Sequence, residues 1–332
     1  MSKQELVARA LRASGLGWAI RAAKLWNGFM VANYHRVGDG VTSRFNQDLF
    51  SATADDFETQ LRFFKHNFDV IGPDDLEEAR KARRGRFIQL TFDDGYRDNY
   101  EVAFPILRSQ GLSATFFVAT GYLDSPSIPW WDEIAWMVRG SEHGRLPASD
   151  YLPDAIVFDE PTRTRAVRRL GKFYPTVALE RRAGLLNHLA EATGTGRCDP
   201  SAANDLWMTW DMVREMRRGG MSFGGHTVNH VELSRLSLQD QIDEIRGSTR
   251  RIEEELGEPP KVFSYPFGQA TSFNADYRAA LHECGQQFAY TYHGGYQIHG
   301  DWDAHDLKRF AVETFKSRDL VEATVTIPQV FA

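Results

Sequence analysis

Short runs of apolar, β-branched and aromatic residues alternate along this chain with stretches in which apolar positions recur every three or four residues. The first pattern predicts buried strands, the second amphipathic helices. Strands are predicted at 30–34, 68–71, 87–92, 114–118, 221–224, 262–265, 288–291 and 309–312. Helices are predicted between them. Residues 55–67 carry Phe57, Leu61 and Phe64 on one face, and 100–110 carry Val102, Ile106 and Leu107 before Gly111. Residues 237–256 open with Ser237 and Asp240, a capping-box-like start, and stop before Gly257, Pro259 and Pro260. Such alternation predicts an α/β protein whose parallel sheet is covered by helices, either open or closed into a barrel.

Two regions depart from this rhythm. Over about 125–205 strand signals fade to one weak run at 155–158, and helical patterns dominate near 134–138 and 163–192. This predicts a mostly helical insertion within one α/β domain spanning 28–325. Residues 1–27 carry Lys3, Arg9, Arg12, Arg21 and Lys24 against Glu5, interleaved with Leu6, Leu11, Leu16, Ile20 and Trp26. Arg9 and Arg12 interrupt the continuous apolar run that a signal peptide needs. The segment therefore reads as an uncleaved amphipathic helix, which either packs on the domain or lies on an anionic membrane surface. The expected location is cytoplasmic, at the inner membrane surface.

Composition narrows the classes. Among 332 residues, 42% are hydrophobic and 25% charged, the proportions of an ordinary globular protein. A net charge of −6 argues against a general nucleic-acid binder. Two cysteines, Cys198 and Cys284, exclude a disulfide framework and a Cys-x-x-Cys zinc or redox motif.

The chemistry-bearing residues follow predicted strands. Leu90-Thr91-Phe92-Asp93-Asp94-Gly95 ends a strand in two adjacent carboxylates. Neighbouring carboxylates both stay ionised only beside a cation. Gly225-His226-Thr227-Val228-Asn229-His230 follows another strand, and imidazoles four apart on one side of a helical turn suit a divalent metal. Together they supply one carboxylate and two imidazoles, with a second carboxylate left over for proton transfer. Tyr265-Pro266-Phe267-Gly268 forms a third strand-end loop, whose backbone N–H groups are candidates to face an oxyanion. Tyr34-His35, at the end of the first strand, adds a histidine on the same face. Tyr96, Trp130 and Trp131 are candidate aromatic platforms for a sugar, with core packing the competing role for each. Asp98 and Asn99 are candidates to touch substrate, with capping of the helix before Tyr100 the preferred role.

The pair Thr91-Phe92-Asp93-Asp94-Gly95 and His226-Thr227-Val228-Asn229-His230 resembles the polysaccharide deacetylase family, carbohydrate esterase family 4, over roughly 28–124 and 205–315. The resemblance implies a distorted (β/α) barrel of about seven parallel strands. It implies that Asp94, His226 and His230 hold a divalent metal, usually zinc, and that Asp93 is the general base. The Pro266-Phe267 loop would complete the oxyanion hole. Where the family's third motif commonly has a base-orienting arginine, this chain has Ser264, and Arg309 is the candidate replacement. No leucine-spaced histidine follows residue 290, and His293, His299 and His305 do not match. Tyr34-His35 is similar to the arrangement of permuted members, which makes His35 the candidate general acid.

The implied reaction removes N-acetyl groups from an amino-sugar polysaccharide or its lipid-linked precursor and releases acetate. Alternatives are a cyclic or small-molecule amide hydrolase on the same scaffold, or a catalytically impaired glycan-binding relative, the latter motivated by Ser264. Non-haem iron chemistry also uses two histidines and a carboxylate, but usually on a β-sandwich that this strand–helix order does not support.

Overall fold

The computed structural model describes residues 2–269, 272, 277–300, 302–314 and 316–332. They form two compact units. The first comprises residues 1–38, 51–125 and 207–332. Its sheet is built from β1 (Gly28–Tyr34), β2 (Asp69–Val70), β3 (Arg86–Phe92), β4 (Thr115–Val118), β5 (Ser222–Gly225), β6 (Val262–Ser264), β7 (Phe288–Tyr290) and β8 (Phe310–Ala311). All pairings are parallel, in the order β7-β6-β5-β4-β3-β1-β8, with β2 beside the amino-terminal half of β3. A parallel bridge from Tyr290 to Leu307 joins β7, the first strand of that order, to the segment entering β8, the last, so the sheet's two edges meet. This is a distorted (β/α) barrel.

Two-residue alternation sorts the strands' side chains. Met30, Ala32 and Tyr34 of β1, with Ile88, Leu90 and Phe92 of β3, pack outward in the main core under the helices. Phe29 and Val31 turn the other way and meet Phe117, Tyr290 and Trp302 in a second cluster, with Phe87 at its edge. The next positions in these inward rows are polar and buried: Asn33 on β1, then Gln89 and Thr91 on β3. The pairs Asn33–Thr91 and Tyr34–Phe92 keep the carboxyl ends of β1 and β3 level, so the residues after each strand emerge together.

The amino-terminal segment is not one helix. It forms α1 (Lys3–Ala13) and α2 (Leu16–Ala22), separated by Ser14 and Gly15. Gly15 stands at φ +71°, a conformation that ends a helix and that glycine adopts without steric cost. Helix α3 (Ala54–Asn67) buries Phe57, Leu61 and Phe64, as its spacing requires. The 100–110 segment starts as a single wide turn, Asn99–Ala103, before becoming α4 (Phe104–Gln110), which ends at Gly111 in the left-handed region.

The second unit comprises residues 39–50 and 126–206. Its helices are α5 (Trp130–Gly140), α6 (Arg163–Phe173) and α7 (Leu179–Thr193), with a short antiparallel ribbon pairing Arg145–Leu146 with Ile156–Val157. They enclose their own core of Ile134, Val138, Val167, Leu170 and Leu189. Buried Glu133 receives both ends of the Arg197 guanidinium, and Asp132 accepts the Asn46 N–H at 2.8 Å. Residues 39–50 belong to this unit although no hydrophobic period marks them.

Returning to the first unit, α8 (Leu238–Leu256) is capped by Ser237 and stops at Gly257, φ +82°. Helix α9 (Arg318–Thr326) follows β8 and packs against α1 and α2. Among the described residues no helix is long and apolar enough to cross a membrane.

Candidate active site

The carboxyl ends of β1, β3, β5 and β6 and the approach to β8 converge on one buried cluster. Asp93 continues β3, and its N–H donates to the Tyr34 carbonyl at 3.0 Å. Its carboxylate is gripped by the Arg309 guanidinium, Nη1 to Oδ1 and Nη2 to Oδ2, both at 2.8 Å. Asn33 Nδ2 adds a third bond at 3.3 Å. The remaining Arg309 donors reach the Thr291 carbonyl, Asn33 Oδ1 and Ser264 Oγ at 2.8, 2.7 and 2.9 Å. All five N–H groups of a side chain only 1% exposed are therefore satisfied. A fully bonded fork is what makes a buried ion pair tolerable. Burial pushes the Asp93 carboxyl up, but the Arg309 guanidinium together with the nearby His226 and His35 outweighs this and keeps it below the usual carboxylate range. Ser264 matters here because its hydroxyl receives an arginine from another strand.

Asp94 turns away at φ +76° and meets two imidazoles. Its Oδ1 lies 3.4 Å from His226 Nε2 and 3.1 Å from His230 Nε2, and the three donor atoms fall within 4.8 Å of one another. His226 Nδ1 stands 2.7 Å from the Ser264 carbonyl, which can only accept. The proton of the neutral ring is therefore on Nδ1, and Nε2 presents a lone pair to Asp94. Burial pushes His230 down, favouring its neutral form. Oδ1 of Asp94 is buried without a hydrogen bond. A carboxylate oxygen faced by imidazole lone pairs is repulsive by itself and fits a divalent cation between them, with second positions for water and substrate.

The two histidines meet through a strained loop, not a helical turn. Thr227 and His230 stand at φ +62° and +51°, and the ring centroids are 4.9 Å apart. Of the five non-glycine residues at positive φ among the described residues, four belong to this site: Asp94, Thr227, His230 and Phe267. Such conformations persist only where neighbours over-determine them. Glu244, on α8, is the main restraint. Its Oε2 accepts the Val228 and Asn229 N–H groups at 2.9 and 3.0 Å, and its Oε1 accepts Asn229 Nδ2 at 2.6 Å. Gly121 braces the other side, donating to the Val228 carbonyl at 2.9 Å. A Cβ at Gly121 would stand 2.7 Å from that oxygen.

Phe267 is the centre of a γ-turn, with Gly268 N–H donating to the Pro266 carbonyl at 2.7 Å and φ +64° at Phe267. Its half-open ring stands edge-on to His230, centroids 5.2 Å apart. Tyr265 turns away instead. It is buried among Phe263 and Tyr277, and its hydroxyl donates to the His305 carbonyl. His35 is half-buried, edge-on to Tyr292 at 5.8 Å and near enough to act electrostatically on both Asp93 and Asp94. Its backbone is fixed at both ends, N–H to Ser51 Oγ and carbonyl from Asn99 Nδ2 at 2.7 Å.

Two expectations need correction. Asp98 and Asn99 do not cap a helix; Asp98 holds Arg36 Nε at 2.7 Å and the Val37 N–H at 3.0 Å, while Asn99 holds His35. Tyr96 is fully buried, stacked on Trp207 at 4.6 Å and beneath the Arg36 guanidinium, so its ring offers no open platform. Trp130 and Trp131 lie in the second unit, both half-buried, and Trp130 stacks on Tyr174 at 4.4 Å, in keeping with the packing role weighed for it. His293 pairs with Asp306 at 2.9 Å, and His299 and His305 meet the carbonyls of Gly85 and Gln286. Glu244 escaped notice because a glutamate on an amphipathic helix reads as a solvated surface residue.

Comparison with known proteins bears on this cluster. The profile of the family described as "Polysaccharide deacetylase" matches residues 80–144 and 186–289, about half the chain. YxkH of Bacillus subtilis (strain 168), a curated protein named for the same family, is 21% identical over 263 residues, covering 78% of this chain and 62% of that protein. The poly-beta-1,6-N-acetyl-D-glucosamine N-deacetylase of Escherichia coli (strain K12) is 28% identical over 107 residues, 30% of this chain and 15% of that protein. Thus the chain spans less than two thirds of either relative's length. Among solved structures, the Streptococcus pyogenes deacetylase PplD, in complex with acetate, superposes with a TM-score of 0.57 at 17% identity, covering 92% of this chain and 98% of that one. At that identity the likeness is one of fold.

Proposed function

This chain belongs to the polysaccharide deacetylase family, and from that premise we propose that it hydrolyses N-acetyl groups on an amino-sugar polysaccharide or its lipid-linked precursor. The observation that carries the reading is the buried Asp93–Arg309 pair standing beside Asp94, His226 and His230. The E. coli relative, whose name gives an N-acetylglucosamine polymer as its substrate, supports the amino-sugar class.

In this reading Asp93 takes the proton from the attacking water. Arg309 and Asn33 keep it ionised and aimed, so no reorientation is needed during proton transfer. Asp94, His226 and His230 would hold a divalent cation, zinc by their donor set, which supplies Lewis-acid activation of water and acyl oxygen. The Phe267 N–H, carried on its γ-turn, donates to the oxyanion that forms on the acyl carbon. His35 delivers a proton to the departing nitrogen, because an amine leaves poorly as its anion. The C–N bond breaks, water supplies the new C–O bond, and acetate and a free amino sugar result. A lipid-linked acceptor would bring the reaction to the inner surface of a membrane, with α1 and α2 as the contact.

The test is acetate release from N-acetylglucosamine oligomers by zinc-loaded protein, against a chelator-treated control. Chelator-sensitive release is expected. No release from metal-replete protein would remove the open glycan chain as substrate.

A further inference from the structure

We propose that α1 and α2 form a docking face for an anionic lipid bilayer. This rests on the membrane-contact part of the reading above and is independent of the reaction.

Both helices turn their polar anchors inward. On α1, Ala8 is buried and Arg12 reaches Asp319 of α9. On α2, Gly17 is buried, and Arg21 donates to Thr326 Oγ1 at 3.0 Å and lies over the Phe63 ring. Helical spacing then sets the opposite face. Leu6, Ala10 and Ala13, at i, i+4 and i+7, form an outward stripe on α1. Trp18, Ala19 and Ala22 do the same on α2. Thirteen large apolar side chains are exposed among the described residues, and five of them fall between positions 6 and 25: Leu6, Val7, Leu16, Trp18 and Leu25. Trp18 is 71% and Leu25 69% exposed. An ordinary surface helix keeps its large apolar residues toward the core, whereas here Leu11 and Ile20 are half-buried and Leu6, Val7 and Trp18 stay exposed. Such concentration marks an interaction surface.

Charge identifies the occupant. Exposed Lys3, Arg9 and Lys24 border the apolar face, and the first 26 residues hold five basic side chains against one acidic in a chain of net charge −6. An apolar face with a tryptophan and a basic border suits the boundary between acyl chains and anionic headgroups. A second copy of the chain fits less well, because a symmetric contact would set the same basic residues against each other. The anchors at Asp319 and Thr326, near opposite ends of α9, lay the pair along the flank of the barrel.

The test is flotation of the full chain with vesicles of phosphatidylcholine alone and with added phosphatidylglycerol. Binding is expected only with the anionic lipid. Trp18→Glu combined with Leu16→Glu should weaken it at least tenfold, and Lys3→Gln, Arg9→Gln and Lys24→Gln by about fivefold per charge. These side chains are exposed, so thermal midpoint and acetate release from soluble oligomers should not change. Absence of binding to anionic vesicles, or binding unaffected by the double variant, would overturn the proposal. So would sedimentation showing that the intact chain is a dimer that the double variant dissociates. Flotation needs no turnover and the oligomer assay needs no lipid, so each reading fails separately.

Discussion

At the amino end of the barrel interior Phe29 stacks on Trp302 at 4.8 Å, with Val31, Phe117 and Tyr290 around them. A few residues further along the same strands, Asn33, Thr91 and Asp93 meet through hydrogen bonds and a buried ion pair. The first region gains from apolar contact, which degrades gradually when shape changes. The second depends on every partner being present, because one missing donor strands a buried charge. Stability and chemistry are thus concentrated at opposite ends of one interior.

Substitutions can break or sharpen that contrast. The largest effect is expected at Asp93. Asp93→Asn should lower kcat by about 10²–10⁴, while bound zinc, measured by elemental analysis, stays at the wild-type ratio. Loss of the metal together with turnover would make Asp93 a ligand and not the base. Next is Arg309→Ala, which leaves the Asp93 carboxylate buried without its partner and should cost about 3–5 kcal/mol in denaturant unfolding. Arg309→Lys should recover only part of this, since an ammonium cannot reproduce the five-donor fork. Val31→Ala, in the apolar half, should cost about 2 kcal/mol of stability yet leave zinc affinity unchanged. A fall in zinc affinity there would show the two ends to be mechanically coupled. Smallest in energy is Glu244→Gln, which weakens the restraint on the His226–His230 loop. It should reduce zinc affinity about tenfold in competition with a chromogenic chelator, with little shift in Tm.

How much of this was legible follows from physical cause. Parallel strands buried on both faces are rich in apolar residues, so runs such as 87–92, with Phe87, Ile88, Leu90 and Phe92, stood out even with Gln89 and Thr91 among them. Polar, chemistry-bearing residues at strand ends, Asp93, Asp94 and His226, declared themselves because nothing structural calls for them there. Positions set by tertiary contact were harder. Gly15 splits a segment whose composition reads as one helix. Asp98 sits where a cap would, but its carboxylate binds Arg36 across the chain. Tyr96 neighbours the motif in sequence and is nonetheless covered by Trp207. Residues 39–50 carry no hydrophobic period, so their grouping with 126–206 left no local trace.

The span of the Arg309 contacts has a consequence for how the protein comes into being. Arg309 is separated by 216 residues from Asp93 and by 276 from Asn33. A ribosome emits Asp94, His226 and His230 well before it emits the guanidinium that stabilises their neighbour. Contacts of such long range form late, because the intervening chain must first give up its freedom. A nascent barrel therefore carries Asp94, His226 and His230 while Asp93 still lacks its guanidinium partner. On the proposed reading, competence for hydrolysis would arrive only when the first and last strands meet, so the order of synthesis itself would keep the unfinished protein silent.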